Sequence, residues 1–456
     1  MKEQTILSVG IDIGTSTTQL VFSEITILNT ASTFTVPKME IADKKILYKS
    51  DIHFTPLKSM TEIDAPATQK IIENEYKKAG YSTKDIDTGA VIITGETARK
   101  ENARAVLELL SEFSGDFVVA TAGADLESVL SGKGAGTDLI SKELHSSCAN
   151  LDIGGGTTNI SVFSHGEIKD TACFDIGGRL IRYDESKVIT YISPKVKEII
   201  KSEGLRLSEG HELNLSELDK LLNIFVAVLS DSVSGKASKY FPLLLTHKAP
   251  DFKSQIQNLT FSGGVAEAVY NEYDNPYIYG DIGIFLGRKI KNSDIMKNFS
   301  VIPPKETIRA TVVGAGSHAT KISGSTVYYD KELLPLKSLP VIKLSGSIYD
   351  EYQKKREWFD SSPVAISIKG YNSPTFEQIQ STARELLKAV KNEPLILISD
   401  NDMGKSLGYA LKGLCPERKI ISIDSVSLSD GDYIDIGYPI MGGMILPVVV
   451  KTILFQ

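Results

Sequence analysis

Two short segments of this 456-residue chain set one carboxylate, glycines and hydroxyls between apolar runs. The first is Gly10-Ile11-Asp12-Ile13-Gly14-Thr15-Ser16-Thr17-Thr18, and the second is Leu151-Asp152-Ile153-Gly154-Gly155-Gly156-Thr157-Thr158. A tight turn needs glycine where φ is positive or where the backbone must approach a ligand. Successive N–H groups of such a turn form an anion-binding concavity, to which the hydroxyls of Thr15, Ser16 and Thr17 add donors. Asp12 cannot donate to phosphate, so a carboxylate there points to a role through Mg²⁺ or the ion's waters. Either loop alone also reads as a polar hairpin turn. Its repetition, followed by Leu259-Thr260-Phe261-Ser262-Gly263-Gly264, changes that reading. In the third segment a strand runs into bare glycine backbone, against which a flat base or ribose could lie. Three such elements in this order predict a nucleotide clamped from two sides.

The loops need strands to hold them. Apolar runs predict strands at Ile6–Ile11 and Gln19–Ile25 around the first loop, and at 149–153 and 159–163 around the second. The repeat suggests an internal duplication of a βββαβα unit. Helical periodicity spans Ala67–Lys78, where Ile71, Ile72, Tyr76 and Ala79 share a face. A longer helix is expected over 216–240, and further strands at 90–94, 259–262 and 310–313. The last of these would run into a Gly314-Ala315-Gly316 turn. After Pro335 and Pro340, strands at 364–369, 395–399 and 420–424 alternate with helices at 376–391 and 402–412. That alternation predicts an α/β annex. The expected division is 1–145 and 146–330 for two lobes, and 331–456 for the annex.

Composition narrows the function. The formal net charge is −7 and the isoelectric point about 5.6, so no basic field awaits a phosphate backbone. General nucleic-acid binding is therefore not expected. Cys148, Cys173 and Cys415 are far apart, against a disulfide framework or zinc knuckle and in keeping with a reducing cytosol. The most apolar stretch, Met441 to Phe455, is too short for a membrane span and carries Pro447 and Lys451. The polar start lacks the pattern of a secretory signal. A cytoplasmic protein is expected, with entry into an enzyme-filled microcompartment left open.

The three loops resemble the phosphate-1, phosphate-2 and adenosine motifs of the actin, sugar-kinase and heat-shock-chaperone ATPase superfamily. The resemblance covers residues 5–330 and implies an α/β fold: two ribonuclease-H-like, actin-like ATPase lobes with ATP between them. It would bring Gly14, Thr15, Ser16 and Thr17 to the phosphates from one lobe. Gly154, Gly155, Gly156, Thr157 and Thr158 would meet them from the other. Gly263 and Gly264 would line the adenosine, Gly314 and Gly316 would make a minor contact, and Asp12 and Asp152 would hold the metal through water. In chaperone-like members, a helix between the phosphate motifs opens with a carboxylate or amide that orients the attacking water. Here Asp125 and Glu127 lie nearby, and Glu96 of Thr94-Gly95-Glu96-Thr97 is a third candidate.

The whole chain is similar to the reactivating factors of ethanolamine ammonia-lyase. The features that carry this are the linker Thr33 to Ile41, the block Ile92 to Ala103, and the ending Gly431-Asp432-Tyr433-Ile434-Asp435-Ile436-Gly437-Tyr438-Pro439. The resemblance implies an ATP- and Mg²⁺-dependent chaperone and slow ATPase. Such a protein frees damaged cobalamin from inactivated ethanolamine ammonia-lyase so that intact adenosylcobalamin can bind. The alternative is a small-molecule kinase of the same superfamily, with Asp125 or Glu96 as base.

Three further motifs carry less. Asp51-Ile52-His53-Phe54-Thr55-Pro56 nearly matches the cobalt-ligating pattern D-x-H-x-x-G, but Pro56 replaces the glycine, and His53 is expected on an extended surface segment. Met403-Gly404-Lys405-Ser406 ends like a phosphate loop but reads better as an N-capped helix from Asp402. Asp175, before Gly177-Gly178, is either near the metal region or on a surface turn.

Overall fold

The computed structural model describes residues 3–14, 17–29, 39–59, 62–94, 102, 106, 109–110, 119–121, 124–236, 238–246, 256–318, 320–322, 326–356, 363–391, 393–428, 432–439 and 443–452. The first sheet contains β1 (Glu3–Ile13), β2 (Thr17–Asn29), β3 (Met39–Lys49), β4 (His53–Phe54), β5 (Thr88–Ile93) and β6 (Val119–Thr121). Its order is β3-β2-β1-β5-β6, with β4 beside β2. The β1–β2 and β2–β3 pairs are antiparallel, and β5 and β6 join parallel. Helix α1 (Ala65–Ala79) crosses between β4 and β5. Asp64 caps it by accepting the Ala67 N–H at 3.1 Å, and Gly80 closes it at φ 79°.

A second sheet repeats this design. It contains β7 (Ser147–Ile153), β8 (Thr158–Ser164) and β9 (Glu167–Phe174); the small hairpin β10 (Ile181–Tyr183) and β11 (Ile189–Ile192) stands apart; β12 (Asn258–Ser262) and β13 (Ser300–Val301) complete it. The order β9-β8-β7-β12-β13 matches the first sheet strand for strand, as do the directions. Asp12 stands opposite Gln19 and Ile92, and Asp152 opposite Asn159 and Ser262. The two carboxylates thus occupy equivalent places at equivalent turns. From Val9 to Ile11 in β1 and from Cys148 to Ile153 in β7 the central strands are buried, which is why these stretches read as mostly apolar runs.

Two helices tie the lobes together. Helix α2 (Ala124–Gly134) follows β6 in the chain yet packs on β7, β8 and β9. Within the second lobe, α3 (Leu215–Val233) is capped by Asn214, which accepts the Ser216 and Glu217 N–H groups. Its stripe of Leu218, Leu221, Leu222, Phe225 and Leu229 enters the core with Phe174 and Phe261. This helix stops at Val233 rather than running to 240, because Gly235 turns at φ 69°. After α4 (Gly283–Lys291) comes α5 (Ala310–His318), which packs on β1, β2 and β5 of the first lobe and crosses α2. A Cβ on Gly134 would lie 1.8 Å from the Ala310 carbonyl oxygen, and one on Gly314 2.0 Å from that of Leu130. The crossing therefore requires glycine on both helices. The sequence expectation of a strand at 310–313 is corrected here. Thr311, Val312 and Val313 favour strand locally, but burial between the first sheet and α2 imposes a small-residue helix.

The annex sheet is ordered β14-β21-β20-β16-β17-β18-β19-β15. Its strands are β14 (Thr320–Ile322), β15 (Tyr328–Tyr329), β16 (Leu336–Leu344), β17 (Ala365–Ile368), β18 (Leu395–Ser399), β19 (Ile420–Asp424), β20 (Asp432–Ile436) and β21 (Pro447–Thr452). Strands β16 to β19 run parallel in chain order, separated by α6 (Ile348–Arg356), α7 (Phe376–Ala389) and α8 (Gly404–Leu414). One face buries Tyr352, Leu386, Leu407 and Leu411 from these helices; the other buries Val341, Ile396, Ile421, Ile434 and Val448. Helix α8 opens at Gly404 rather than at Asp402. The Gly404 N–H donates to Asp424 Oδ2 at 2.9 Å, and Asp402 instead accepts from the Thr326 hydroxyl. A carboxylate thus occupies the place a phosphate would need at the Gly-Lys-Ser sequence. Among the described residues, no helix is long and apolar enough to cross a membrane.

Candidate functional site

The duplicated turns face one cavity of about 420 Å³ between the lobes. Asp12, Gly14 and Thr17 line it from the first lobe, and Asp152, Gly154, Gly155, Gly156 and Thr157 from the second. Each turn closes with the same bond: Gly14 N–H to Thr17 C=O and Gly154 N–H to Thr157 C=O, both 2.9 Å. Gly263 and Gly264 form a third wall. At Gly263 φ is 86°, and a Cβ would lie 2.4 Å from the Ile153 carbonyl oxygen, so only glycine lets this turn lie against the second loop.

Desolvation dominates the electrostatics. Burial pushes Asp12 up to about 7; the Thr94 hydroxyl, donating at 2.9 Å, opposes the rise, and the charge of Asp152 adds to it. Burial also pushes Asp152 up to about 6, against hydrogen bonds from Ser262 and Thr311. Behind Asp152 runs a buried relay in which every donor points toward the carboxylate. Thr137 meets Thr260 at 2.6 Å, Thr260 donates to Asn150 Oδ1 at 2.8 Å, Asn150 Nδ2 donates to Ser262 at 2.9 Å, and Ser262 donates to Asp152 Oδ1 at 2.5 Å. Two repelling carboxylates share a desolvated cleft, neither in an ion pair among the described residues, and hard oxygen donors of this kind suit Mg²⁺. The residues therefore fit the ion that the sequence implied.

Not every expected residue reaches the cavity. Thr158 is buried and its hydroxyl donates to the Ile176 carbonyl at 2.7 Å, so it faces away from the turn's concavity. Gly314 faces Leu130 within the helix crossing, and Gly316 lies in the same helix, which corrects the turn predicted there. Glu127 lines the cavity, whereas Asp125 accepts from Thr171 on β9. Asp175 is paired with Lys195. His53 sits on β4 with its ring 2.9 Å from buried Glu75, and Lys78 bonds both Glu75 and Asp51 where a metal would lie. Thr15, Ser16 and Glu96 lie outside the described residues.

Among the residues the sequence did not single out, Gln19, Arg179, Glu267, Tyr273, Tyr279, Asp281 and Thr311 also line the cavity. Arg179 directly follows Gly177-Gly178, so that glycine pair was a usable signal for it. The tyrosines come from a polar segment without periodicity, which gave none.

Paired ribonuclease-H-like sheets, equivalent acidic turns facing one cleft and two crossing helices define an actin-like two-lobed α/β protein with an added α/β annex. The chain belongs to the family described as ethanolamine utilisation protein EutA, which matches residues 4–456. It is 32% identical over 465 aligned positions to the ethanolamine ammonia-lyase reactivase EutA of Salmonella typhimurium, covering all of both chains. Identity and coverage are the same for the Escherichia coli protein of that name. Among solved structures, the PPX-GPPA enzyme of Aquifex aeolicus matches 68% of this chain and 99% of its own at 12% identity, with a TM-score of 0.41.

Proposed function

We propose that this chain is an ATP- and Mg²⁺-dependent reactivase of ethanolamine ammonia-lyase. It releases damaged cobalamin from the inactivated enzyme so that intact adenosylcobalamin can enter. The observation that carries this reading is the pair of equivalent acidic turns facing one cleft, in a chain that matches curated reactivases from end to end.

In this reading the N–H groups of the Gly14 and Gly154–Gly156 turns, with Thr15, Ser16, Thr17 and Thr157, bind phosphates. Gly263 and Gly264 receive the nucleoside. Asp12 and Asp152 hold Mg²⁺, which supplies charge neutralisation when bound. Glu127 orients the attacking water, since it lines the cavity while Asp125 is engaged with β9. A ligand shifts a two-state protein only by its differential affinity for the states. Nucleotide gripping both lobes favours closure about the α2–α5 crossing, and ADP permits opening. If one state grips the lyase better, hydrolysis drives release of the corrinoid. Three free cysteines, two of them buried, suit the reducing cytosol this role requires.

The test is reactivation. The chain, ATP, Mg²⁺ and fresh adenosylcobalamin are added to lyase inactivated with cyanocobalamin, and ammonia release is measured. Recovery of turnover only with ATP is expected. ATP hydrolysis with no recovery would overturn the reading. The kinase alternative is not favoured; it requires an acceptor and a phosphorylated product, where a reactivase releases phosphate to water.

A further inference from the structure

Charge in the cleft is unevenly supplied. Asp12, Glu127, Asp152, Glu267 and Asp281 line it, and among the described lining residues Arg179 is the one base. A triphosphate is itself an anion, so beyond the N–H groups of the turns and a cation held by Asp12 and Asp152, that side chain is the one positive group of the described wall to meet it. The backbone of Arg179 is fastened to the second turn: its N–H donates to the Gly155 carbonyl at 2.6 Å, and the Gly178 N–H donates to that of Gly154 at 3.0 Å. The guanidinium is far less committed. Its nearest recorded partner is Asp281, with Nε 4.0 Å from Oδ2, beyond hydrogen-bond reach. Asp281 spends its other oxygen on the Gly283 N–H at 2.9 Å, at the start of α4.

We infer that Arg179 is a further phosphate-binding residue of the cleft, whose guanidinium exchanges Asp281 for the phosphates of the nucleotide. This rests on the nucleotide reading of the cleft given above. The planar fork matches phosphate oxygens bidentately, and an arginine only loosely held by its carboxylate can turn to them at small cost. Burial is also unfavourable to both partners as they stand, lowering the basicity of Arg179 and raising Asp281 to about 6. Asp281 then acts as a competitor that sets how strongly phosphate must pull.

Calorimetric titration of ATP, ADP and adenosine, with Mg²⁺ present, tests this in the full chain and in Arg179→Gln, Arg179→Lys, Asp281→Asn and the Arg179→Gln/Asp281→Asn double variant. For Arg179→Gln, ATP and ADP affinity should fall about 10- to 100-fold, as for loss of a charge-assisted hydrogen bond, while adenosine affinity stays unchanged. Arg179→Lys should recover part of the loss. Asp281→Asn should raise ATP affinity about 2- to 10-fold, and that gain should vanish in the double variant. Unchanged adenosine binding also shows that the variant is folded. ATP binding that is indifferent to Arg179→Gln, or ATP and adenosine falling in equal proportion, would overturn the inference alone. Failure of the wild-type chain to bind any adenine nucleotide would overturn it together with the reading of the cleft.

Discussion

Gly314→Ala measures the helix crossing directly. In a helix interior, alanine is favoured over glycine by about 1 kcal/mol, so a substitution with free space should stabilise. At Gly314 the new Cβ would lie 2.0 Å from the Leu130 carbonyl oxygen, and real Cβ contacts do not fall below 3.0 Å. The obstacle is backbone with no rotamer to change, so α2 and α5 must separate by about 1 Å. Overpacking of this kind costs about 1–3 kcal/mol, and loss of the surrounding contacts adds to it, leaving a net loss of about 1–2 kcal/mol. Gly413, near the end of α8, is the control, because a Cβ there meets nothing within 4 Å. Gly413→Ala should stabilise by about 0.5–1 kcal/mol. Urea unfolding of the two variants and the parent reads both signs, and melting temperature should move by about 2–4 °C per kcal/mol in a domain of this size. If Gly314→Ala stabilised the protein as Gly413→Ala does, the crossing would be wrong. If it left stability unchanged but abolished nucleotide binding, the turn read from the sequence would be restored.

Three further outcomes are expected. Ser262→Ala should destabilise the second lobe by about 1–3 kcal/mol in chemical denaturation, because it leaves Asn150 Nδ2 and Asp152 Oδ1 without their buried partner; a change below 0.5 kcal/mol would contradict the relay. Asp424, buried against Thr326, the Gly404 N–H and Asp402, is raised by desolvation to about 7. Between its unfolded value near 4 and that value the folded state binds more protons, so stability falls as pH rises through the window and is level above it. Asp424→Asn should remove a slope of at most about 1.4 kcal/mol per pH unit, and an unchanged pH profile would refute the assignment. Glu127→Gln should lower ATP turnover about 10²- to 10⁴-fold while nucleotide affinity is retained; equal loss of both would show that Glu127 binds rather than orients water.

Much of the site was legible because it repeats. The Asp12 and Asp152 turns advertise themselves through glycine and hydroxyl composition, and the two sheets place them equivalently. Strands 395–399 and 420–424 were also readable to the residue, since central parallel strands are short apolar runs bounded by turn residues. Other features depend on long-range contacts. No local pattern distinguishes Val312 and Val313 in a helix buried between a sheet and another helix from the same residues in a strand. The sequence offers Thr158 as a further phosphate donor, but alternation along β8 turns it inward to Ile176. The Asp402 cap failed because the competing carboxylate, Asp424, arrives from the neighbouring strand. Arg179 and Asp281, about a hundred positions apart in sequence, meet only through the fold.

The most direct measurement is calorimetric titration of Mg²⁺·ATP into the wild-type chain and into Asp12→Asn and Asp152→Asn. One binding event should be seen per chain, lost or weakened at least tenfold in each variant, with their folded-state spectra intact. Absence of any ATP uptake by the wild type, or undiminished uptake by both variants, would contradict the clamp on which the reactivase mechanism stands.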